Sequence, residues 1–310
     1  MRILVVGAGA IGGYFGARLS QAGRDVTFLV RPRRAALLAQ NGLRVRSPAG
    51  DISIAAPATV TADKLSDAFD LIILSCKAYD LNAAIADVAP AIGPHSAILP
   101  LLNGMRHIDV LEARFGGNAV LGGQCVISTT LSTEGTIVHL NTTHSLTYGE
   151  RDGGASTRVN DIRRAFEGAA FDATASPQIL QAMWEKWVVL ASMAGATSTL
   201  RAPIGVINRV AGGRDFVLGL IDEVGSIAAA AGFAPRPDFL DETRAFLTNE
   251  QSPQTSSMFR DIENGARIEA DHIIGDLLMR ASGGLACERL TVVYAHLKAY
   301  ETRLKERASD

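Results

Sequence analysis

The sequence predicts an α/β chain in two parts: a doubly wound, Rossmann-type N-terminal domain over residues 1–176 and an all-helical C-terminal domain over 177–310. Three observations carry this. The first half alternates short apolar runs with amphipathic stretches, the pattern of strands joined by helices in a parallel sheet. Its first apolar run, Arg2-Ile3-Leu4-Val5-Val6, leads directly into Gly7-Ala8-Gly9-Ala10-Ile11-Gly12. Beyond Ser176-Pro177 strand-like alternation stops, and only helical patterns follow.

Each element has its own reason. After Arg2 the run 3–6 is apolar throughout, as a strand covered on both faces must be. The helix after it opens at Gly9 or Ala10 and carries Tyr14, Phe15 and Leu19 on its apolar side. A second strand, 26–30, ends at Arg31-Pro32-Arg33-Arg34; residues 33–41 then form a short helix stopped by Gly42, and 43–45 with 52–54 a small hairpin. Asp70-Leu71-Ile72-Ile73-Leu74-Ser75 is another buried strand, followed by a helix at 81–91, a strand at 97–102 and a helix at 108–115. Residues 120–121 and 126–130 are expected to continue the sheet, with 135–140 and 145–148 as an antiparallel extension, a helix at 157–167 and a last strand at 169–173. Ser176 is expected as an N-cap with Pro177 at the first helical position. Helices are then expected at 177–195, 203–209, 212–231, 236–249, 256–280 and 286–307.

With 310 residues, 47% hydrophobic and 20% charged, the chain has ample core for two domains. A net charge of -2 argues against a general role on nucleic acid or membrane surfaces. The three cysteines, Cys76, Cys125 and Cys287, are isolated and lack metal spacing, and six scattered histidines form no helical pair, so no metal site is expected. The glycine run begins at residue 7, which leaves no room for a leader, and no apolar run reaches membrane-spanning length; a cytoplasmic location is the expectation. Apolar stripes on 212–231 and 286–307 face either the core or a second subunit, which leaves a homodimer open.

A strand, a G-x-G-x-x-G turn and a helix form a dinucleotide pyrophosphate site, although glycine turns of purely structural use also exist. Gly7 permits the tight turn, Gly9 lets the backbone approach the phosphates, and Gly12 lets the helix pack against the strand. The helix N-terminus then offers free N–H groups and partial positive charge to the anion. No acid stands between Val26 and Arg34 to accept from a ribose 2′-OH. A guanidinium binds a 2′-phosphate bidentately, so NADP(H) is preferred, with Arg31 nearest the strand end and Arg33 or Arg34 in support. A merely solvated turn describes Arg33 and Arg34 better than Arg31.

Reduction of a carbonyl also needs a proton donor for the oxygen that hydride transfer leaves negative. Lys77 follows the strand 71–76, where a lysine points into the cofactor crevice or into solvent. Asn103 follows the next strand, in an Asn-Gly pair that is also common in turns. Lys186 lies in Trp184-Glu185-Lys186-Trp187, on a helix apolar nearly all round and therefore expected to be buried. Glu185 is adjacent and does not face Lys186, so that pair does not account for the charge. Glu269 is expected on the helix 256–280, among Asp261, Glu263, Arg267, Asp271 and Asp276, and Ser256-Ser257 caps that helix.

Taken in order, these residues resemble the ketopantoate reductase (2-dehydropantoate 2-reductase) family across nearly the whole chain: the Gly7–Gly12 run, Arg31, Cys76-Lys77-Ala78-Tyr79, Asn103-Gly104-Met105, Trp184-Glu185-Lys186, Ser256-Ser257-Met258 with Asp261, and Glu269-Ala270-Asp271. The resemblance implies an NADPH-dependent reductase that converts ketopantoate to pantoate on the route to pantothenate and coenzyme A. It implies Lys186 as general acid and Glu269 as the residue orienting substrate and lysine. It places Asn103 on nicotinamide ribose and substrate, Lys77 on the cofactor side, Ser257 on the substrate carboxylate and Arg31 on the 2′-phosphate. The chain departs from the family one and two turns beyond the lysine, where the family carries asparagines and this sequence has Leu190 and Ala194. Losing two amides from a pocket built around a hydroxyl weakens discrimination for it. The pocket is expected to be more apolar, with Thr197, Ser198 or Arg201 as replacement contacts. The alternatives are a reductase of a different, more apolar 2-oxo acid and a non-catalytic NADP-binding sensor, the latter disfavoured because Lys186 and Glu269 are both present.

Overall fold

A computed structural model describes residues 1–281 and 283–309. The chain divides into two compact units, Met1–Leu102 with His107–Ile179, and Asn103–Arg106 with Leu180 onward. The short segment Asn103–Arg106 thus groups with the helical unit rather than with the strand and helix that flank it in sequence.

In chain order the first unit comprises β1 (Arg2–Val6), α1 (Ala10–Gln21), β2 (Asp25–Leu29), α2 (Pro32–Asn41), β3 (Leu43–Arg46), β4 (Ile52–Ile54), β5 (Thr59–Val60), β6 (Phe69–Leu74), α3 (Leu81–Val88), β7 (Ile92–Pro100), α4 (Arg106–Phe115), β8 (Gly122–Leu131), β9 (Ile137–Gly149), α5 (Thr157–Phe166) and β10 (Asp172–Ala175). Five strands make a parallel sheet in the order β5-β2-β1-β6-β7. Register fixes its carboxyl edge: Val6 pairs with Leu29 on one side and Leu74 on the other, and Leu74 pairs with Pro100. The expected continuation into 126–130 does not occur. Val120 makes one isolated bridge to Ile98, and β8 turns away into a second sheet, β10-β9-β3-β4, where it pairs antiparallel with β9.

The expected break between 135–140 and 145–148 is also absent. β9 runs through as one strand with a large bulge: Ile127 pairs with His144 and Thr129 with His139. In the bulge the Asn141 Oδ1 accepts the Ser128 N–H at 3.1 Å, replacing a ladder bond. The last strand lies at 172–175 rather than 169–173, and all its residues are exposed. Helix α1 packs between the sheets, its Gly16 against Phe28 and its Gly13 against Ile137, so any side chain at either glycine would collide. Tyr14 shares a 2.6 Å hydrogen bond with His144 of β9.

The second unit comprises α6 (Ile179–Leu200), α7 (Ile204–Asn208), α8 (Gly213–Ala230), α9 (Pro237–Leu247), α10 (Ser257–Glu263), α11 (Asp276–Arg280) and α12 (Glu288–Ser309). Ser176 does not cap α6; its hydroxyl accepts the Gln178 N–H at 3.1 Å in a turn before the helix. The expected helix 256–280 is broken. It stops at Asn264, Gly265 adopts φ +64, and the chain re-enters helix through a π-helical turn, Asp271–Gly275. Asn-Gly is a strong helix stop, which a period of apolar residues alone does not reveal.

Candidate active site

In the first unit the glycine run behaves as three different positions. Gly7 adopts φ +91, where a side chain is strained, and its N–H donates to the Leu29 carbonyl at 2.9 Å. A Cβ at Gly12 would overlap Ser75 Oγ and the Gly7 carbonyl, so the helix can approach β1 only without one. A Cβ at Gly9 would meet nothing within 4 Å, which leaves the backbone there open to a ligand. Gly9 is also the N-cap of α1, with no side-chain cap and no acid in the first turn, so its leading N–H groups suit a phosphate. These residues fit a dinucleotide.

Arg31 and Lys77 follow β2 and β6 at the same carboxyl edge. Arg31 is the N-cap of α2, 71% exposed, and pairs with Asp80 Oδ1 at 3.1 Å. Arg34 is the held arginine: its Nε donates to the Ala8 carbonyl at 3.1 Å and both terminal nitrogens donate to the Gly135 carbonyl at 3.2 Å. The expectation that Arg34 is the more solvated of the two is therefore overturned, because the helix turns it back onto the glycine loop. Lys77 is half-buried at the start of a 3-10 turn, Ala78–Asp80, and its carbonyl accepts the Asp80 N–H at 2.9 Å.

In the second unit the candidates converge on the π-helical turn. Trp187 Nε1, one residue from Lys186, donates to the Ile273 carbonyl at 3.0 Å, in the buried interior. The Ile273 N–H donates to the Glu269 carbonyl at 3.0 Å. Gly104 takes φ +77 and lies so close that a Cβ there would stand 2.9 Å from the His272 carbonyl. Burial pulls the His272 imidazole below its usual value and Arg106 adds to this, while Glu269, Asp276 and a hydrogen bond to the Asn103 backbone oppose it. The backbones of Asn103 and Glu269 and the Trp187 indole of α6 are thus all tied to Asp271–Gly275. His272, Arg106 and Trp187 were not singled out in the sequence, where a lone histidine and a core tryptophan carry no signal.

Lys186 itself is half-buried, against the expectation of burial. The buried charge is Glu185, 2% exposed, held by Arg236 through its backbone N–H at 3.1 Å and Nε at 2.8 Å, and by Gln181 Nε2 at 3.2 Å. Burial works to raise the Glu185 carboxyl, and these bonds with the Arg236 charge outweigh it to hold the carboxyl low.

Ser257 opens α10 beside Ser256, whose hydroxyl accepts the Phe259 N–H at 3.0 Å and lies 2.9 Å from Thr197 Oγ1. Ser256, the neighbour of Ser257, is therefore tied to the far end of α6, three turns beyond Lys186. At i, i+4, i+7 and i+11, Lys186, Leu190, Met193 and Thr197 share one face of that helix. Leu190 and Met193 are half-buried, whereas Ala194 is 1% exposed. Two clefts, one lined by Asp215, Glu223 and Arg289 and the other by Arg24, Asp25 and Arg158, touch none of these residues. Among the described residues no cluster of His, Cys, Asp or Glu is placed to hold a metal ion, and no helix is long and apolar enough to cross a membrane.

Over residues 3–153 the chain matches the family described as Ketopantoate reductase PanE/ApbA, and over residues 178–301 the C-terminal part of that family. It is 38% identical to an uncharacterized oxidoreductase, YkpB, of Bacillus subtilis, across 97% of this chain and 99% of that one. Its fold is similar to the crystal structure of 2-dehydropantoate 2-reductase from Methylococcus capsulatus, at a TM-score of 0.86, 29% identity and 98% of each chain. The fold is also shared with a D-mandelate dehydrogenase whose structure holds NADH and anilino(oxo)acetate, at a TM-score of 0.88, 22% identity, and 98% and 100% of the two chains.

Proposed function

The chain belongs to the ketopantoate reductase family, oxidoreductases of the C=O/CH–OH couple that use NAD(P), and on that premise we propose that it reduces a 2-oxo acid with NADPH. The first assignment is 2-dehydropantoate to pantoate, in pantothenate biosynthesis in the cytoplasm. The observation that supports the reading is that the Asn103 backbone, the Glu269 backbone and Trp187, the neighbour of Lys186, are all tied to one π-helical turn.

The reduced nicotinamide supplies the hydride. The Gly7–Gly12 loop holds the pyrophosphate through its N–H groups, and Arg31 takes the 2′-phosphate, exchanging its exposed pair with Asp80 for a bidentate one. Lys77 faces the same cofactor edge. In the helical unit the Lys186 ammonium donates a proton to the substrate oxygen as charge develops there. Glu269 would orient substrate and the lysine, Asn103 would hold substrate and the nicotinamide ribose, and Ser257 would take the substrate carboxylate.

A second reading, a more apolar 2-oxo acid on the same scaffold, is favoured by one observation. Between Lys186 and Thr197 the half-buried face of α6 offers Leu190 and Met193 and no amide. Such a face gains from an alkyl or aryl substituent and gives nothing to a hydroxyl. An NADPH-oxidation assay over ketopantoate, unhydroxylated branched 2-oxo acids and an aryl oxo acid separates the two, and a preference for ketopantoate removes the second. Lys186→Ala is expected to lower kcat by at least 100-fold with little change in NADPH affinity. Unchanged turnover in that variant overturns the proton-donor assignment.

A further inference from the structure

We propose that His272 is a positioning residue that clamps the Asn103-Gly104 turn in its working shape; this rests on the reading that Asn103 belongs to the active site. The imidazole is buried, 6% exposed, and bonds to the Asn103 backbone. That bond makes the ring more basic, so the ring donates, and of the Asn103 main-chain groups the carbonyl is the one that accepts. On the other side of the turn, Gly104 at φ +77 packs against the same residue: a Cβ would stand 2.9 Å from the His272 carbonyl and 3.3 Å from the ring carbon Cδ2. His272 therefore grips the turn by its ring and by its main chain.

The grip is anchored from behind. His272 lies in the π-helical turn, whose Ile273 carbonyl accepts from Trp187 beside Lys186 and whose Ile273 N–H donates to Glu269. The wide turn brings consecutive residues to different tasks: Ile273 fixes the turn to α6, and His272 fixes Asn103 to the turn. A π-helical turn is uncommon and recurs at functional sites. Removing the donor leaves the Asn103 carbonyl without its partner and frees the turn to shift. A displacement of about 1 Å at a positioning group costs on the order of 100-fold in rate.

A double-mutant cycle on the full chain tests the clamp, using His272→Phe to keep ring volume without a donor, Asn103→Ala, and the two combined. Four quantities are measured for each: kcat and KM on the best 2-oxo acid of the panel, NADPH affinity by nicotinamide fluorescence, and melting temperature. His272→Phe is expected to lower kcat or NADPH affinity at least tenfold, and the double variant to be no worse than Asn103→Ala alone. His272→Gln, which restores an N–H donor, is expected to recover most of the loss. If the Phe variant does not fold, the same cycle is run with His272→Gln and His272→Asn, whose donors reach differently. Additive losses, or a fall in melting temperature with wild-type kcat and NADPH affinity, overturn the clamp while leaving Asn103 in the site. Wild-type behaviour of Asn103→Ala overturns the premise about Asn103, and the clamp with it.

Discussion

Gly9 and Gly12 stand three residues apart in one loop and are required for opposite reasons. At Gly12 a methyl group would overlap Ser75 Oγ and the Gly7 carbonyl, so Gly12→Ala forces the helix off β1. Overpacking of this kind costs about 1–3 kcal/mol, and both melting temperature and cofactor affinity are expected to fall. At Gly9 the methyl group meets no protein atom, so Gly9→Ala is expected to melt like the wild type and to bind NADPH at least tenfold more weakly. Equal NADPH affinity in the Gly9 variant places the pyrophosphate elsewhere. Both roles follow from motif spacing alone. The arginines differ, because their distinction lies in rotamers. Arg34 turns back to the Ala8 carbonyl and Arg31 stays at the exposed helix cap. Arg31→Ala is expected to weaken NADPH binding at least tenfold and spare NADH, whereas Arg34→Ala, by loosening the loop, weakens both together. Paired titrations check this, and a selective NADPH loss in the Arg34 variant reverses the assignment.

At the scale of elements, α6 brings the Lys186 face, the buried Glu185 and the Trp187 tie into one helix. Adjacent residues project about 100° apart, so Lys186 reaches a half-open surface while Glu185 is sealed against the N-cap of α9. Truncating the partner, Arg236→Ala, leaves a buried carboxylate short of donors. The exposed position of Arg236 lets water compensate in part, and about 2 kcal/mol of stability is expected to be lost. Chemical denaturation checks this; a loss below about 0.5 kcal/mol means the pair is solvated. The helix was legible from its apolar period, but which of its two charges is buried was not, since that depends on α9. The bulge in β9 was hidden for a related reason: polar residues at 141–144 read as a turn until Asn141 is seen replacing a ladder bond across to β8.

For the whole molecule, both units hold histidines pulled below their usual values. Burial acts first on His272 in the helical unit and on His144 beside His139 and Arg18 in the other. A histidine whose folded value is depressed binds fewer protons folded than unfolded. Its stabilisation is therefore complete above the unfolded value, about 6.5, and is lost as pH falls through it. Melting temperature is expected to hold between pH 8 and 7 and to drop between about 6.5 and 5. Glu185, held low by Arg236, adds a further loss only below about 4.5. A flat profile from pH 7.5 to 5 contradicts the depressed histidines.

The two-residue edge strand β5 escaped it, but the sequence by itself determined the other four strands of the parallel sheet with their helices, the glycine loop and the helical character of the second half. Each of these is written in residues close together in the chain, as period, turn chemistry or motif. Only the tertiary structure decided that β8 leaves the first sheet, that the chain beyond the Asn264-Gly265 stop re-enters helix through a π-helical turn, that Arg34 grips the loop, and that His272 meets Asn103. Those outcomes depend on groups about 25 to nearly 170 residues apart competing for the same hydrogen-bond partner or the same space, and no local pattern records which one wins.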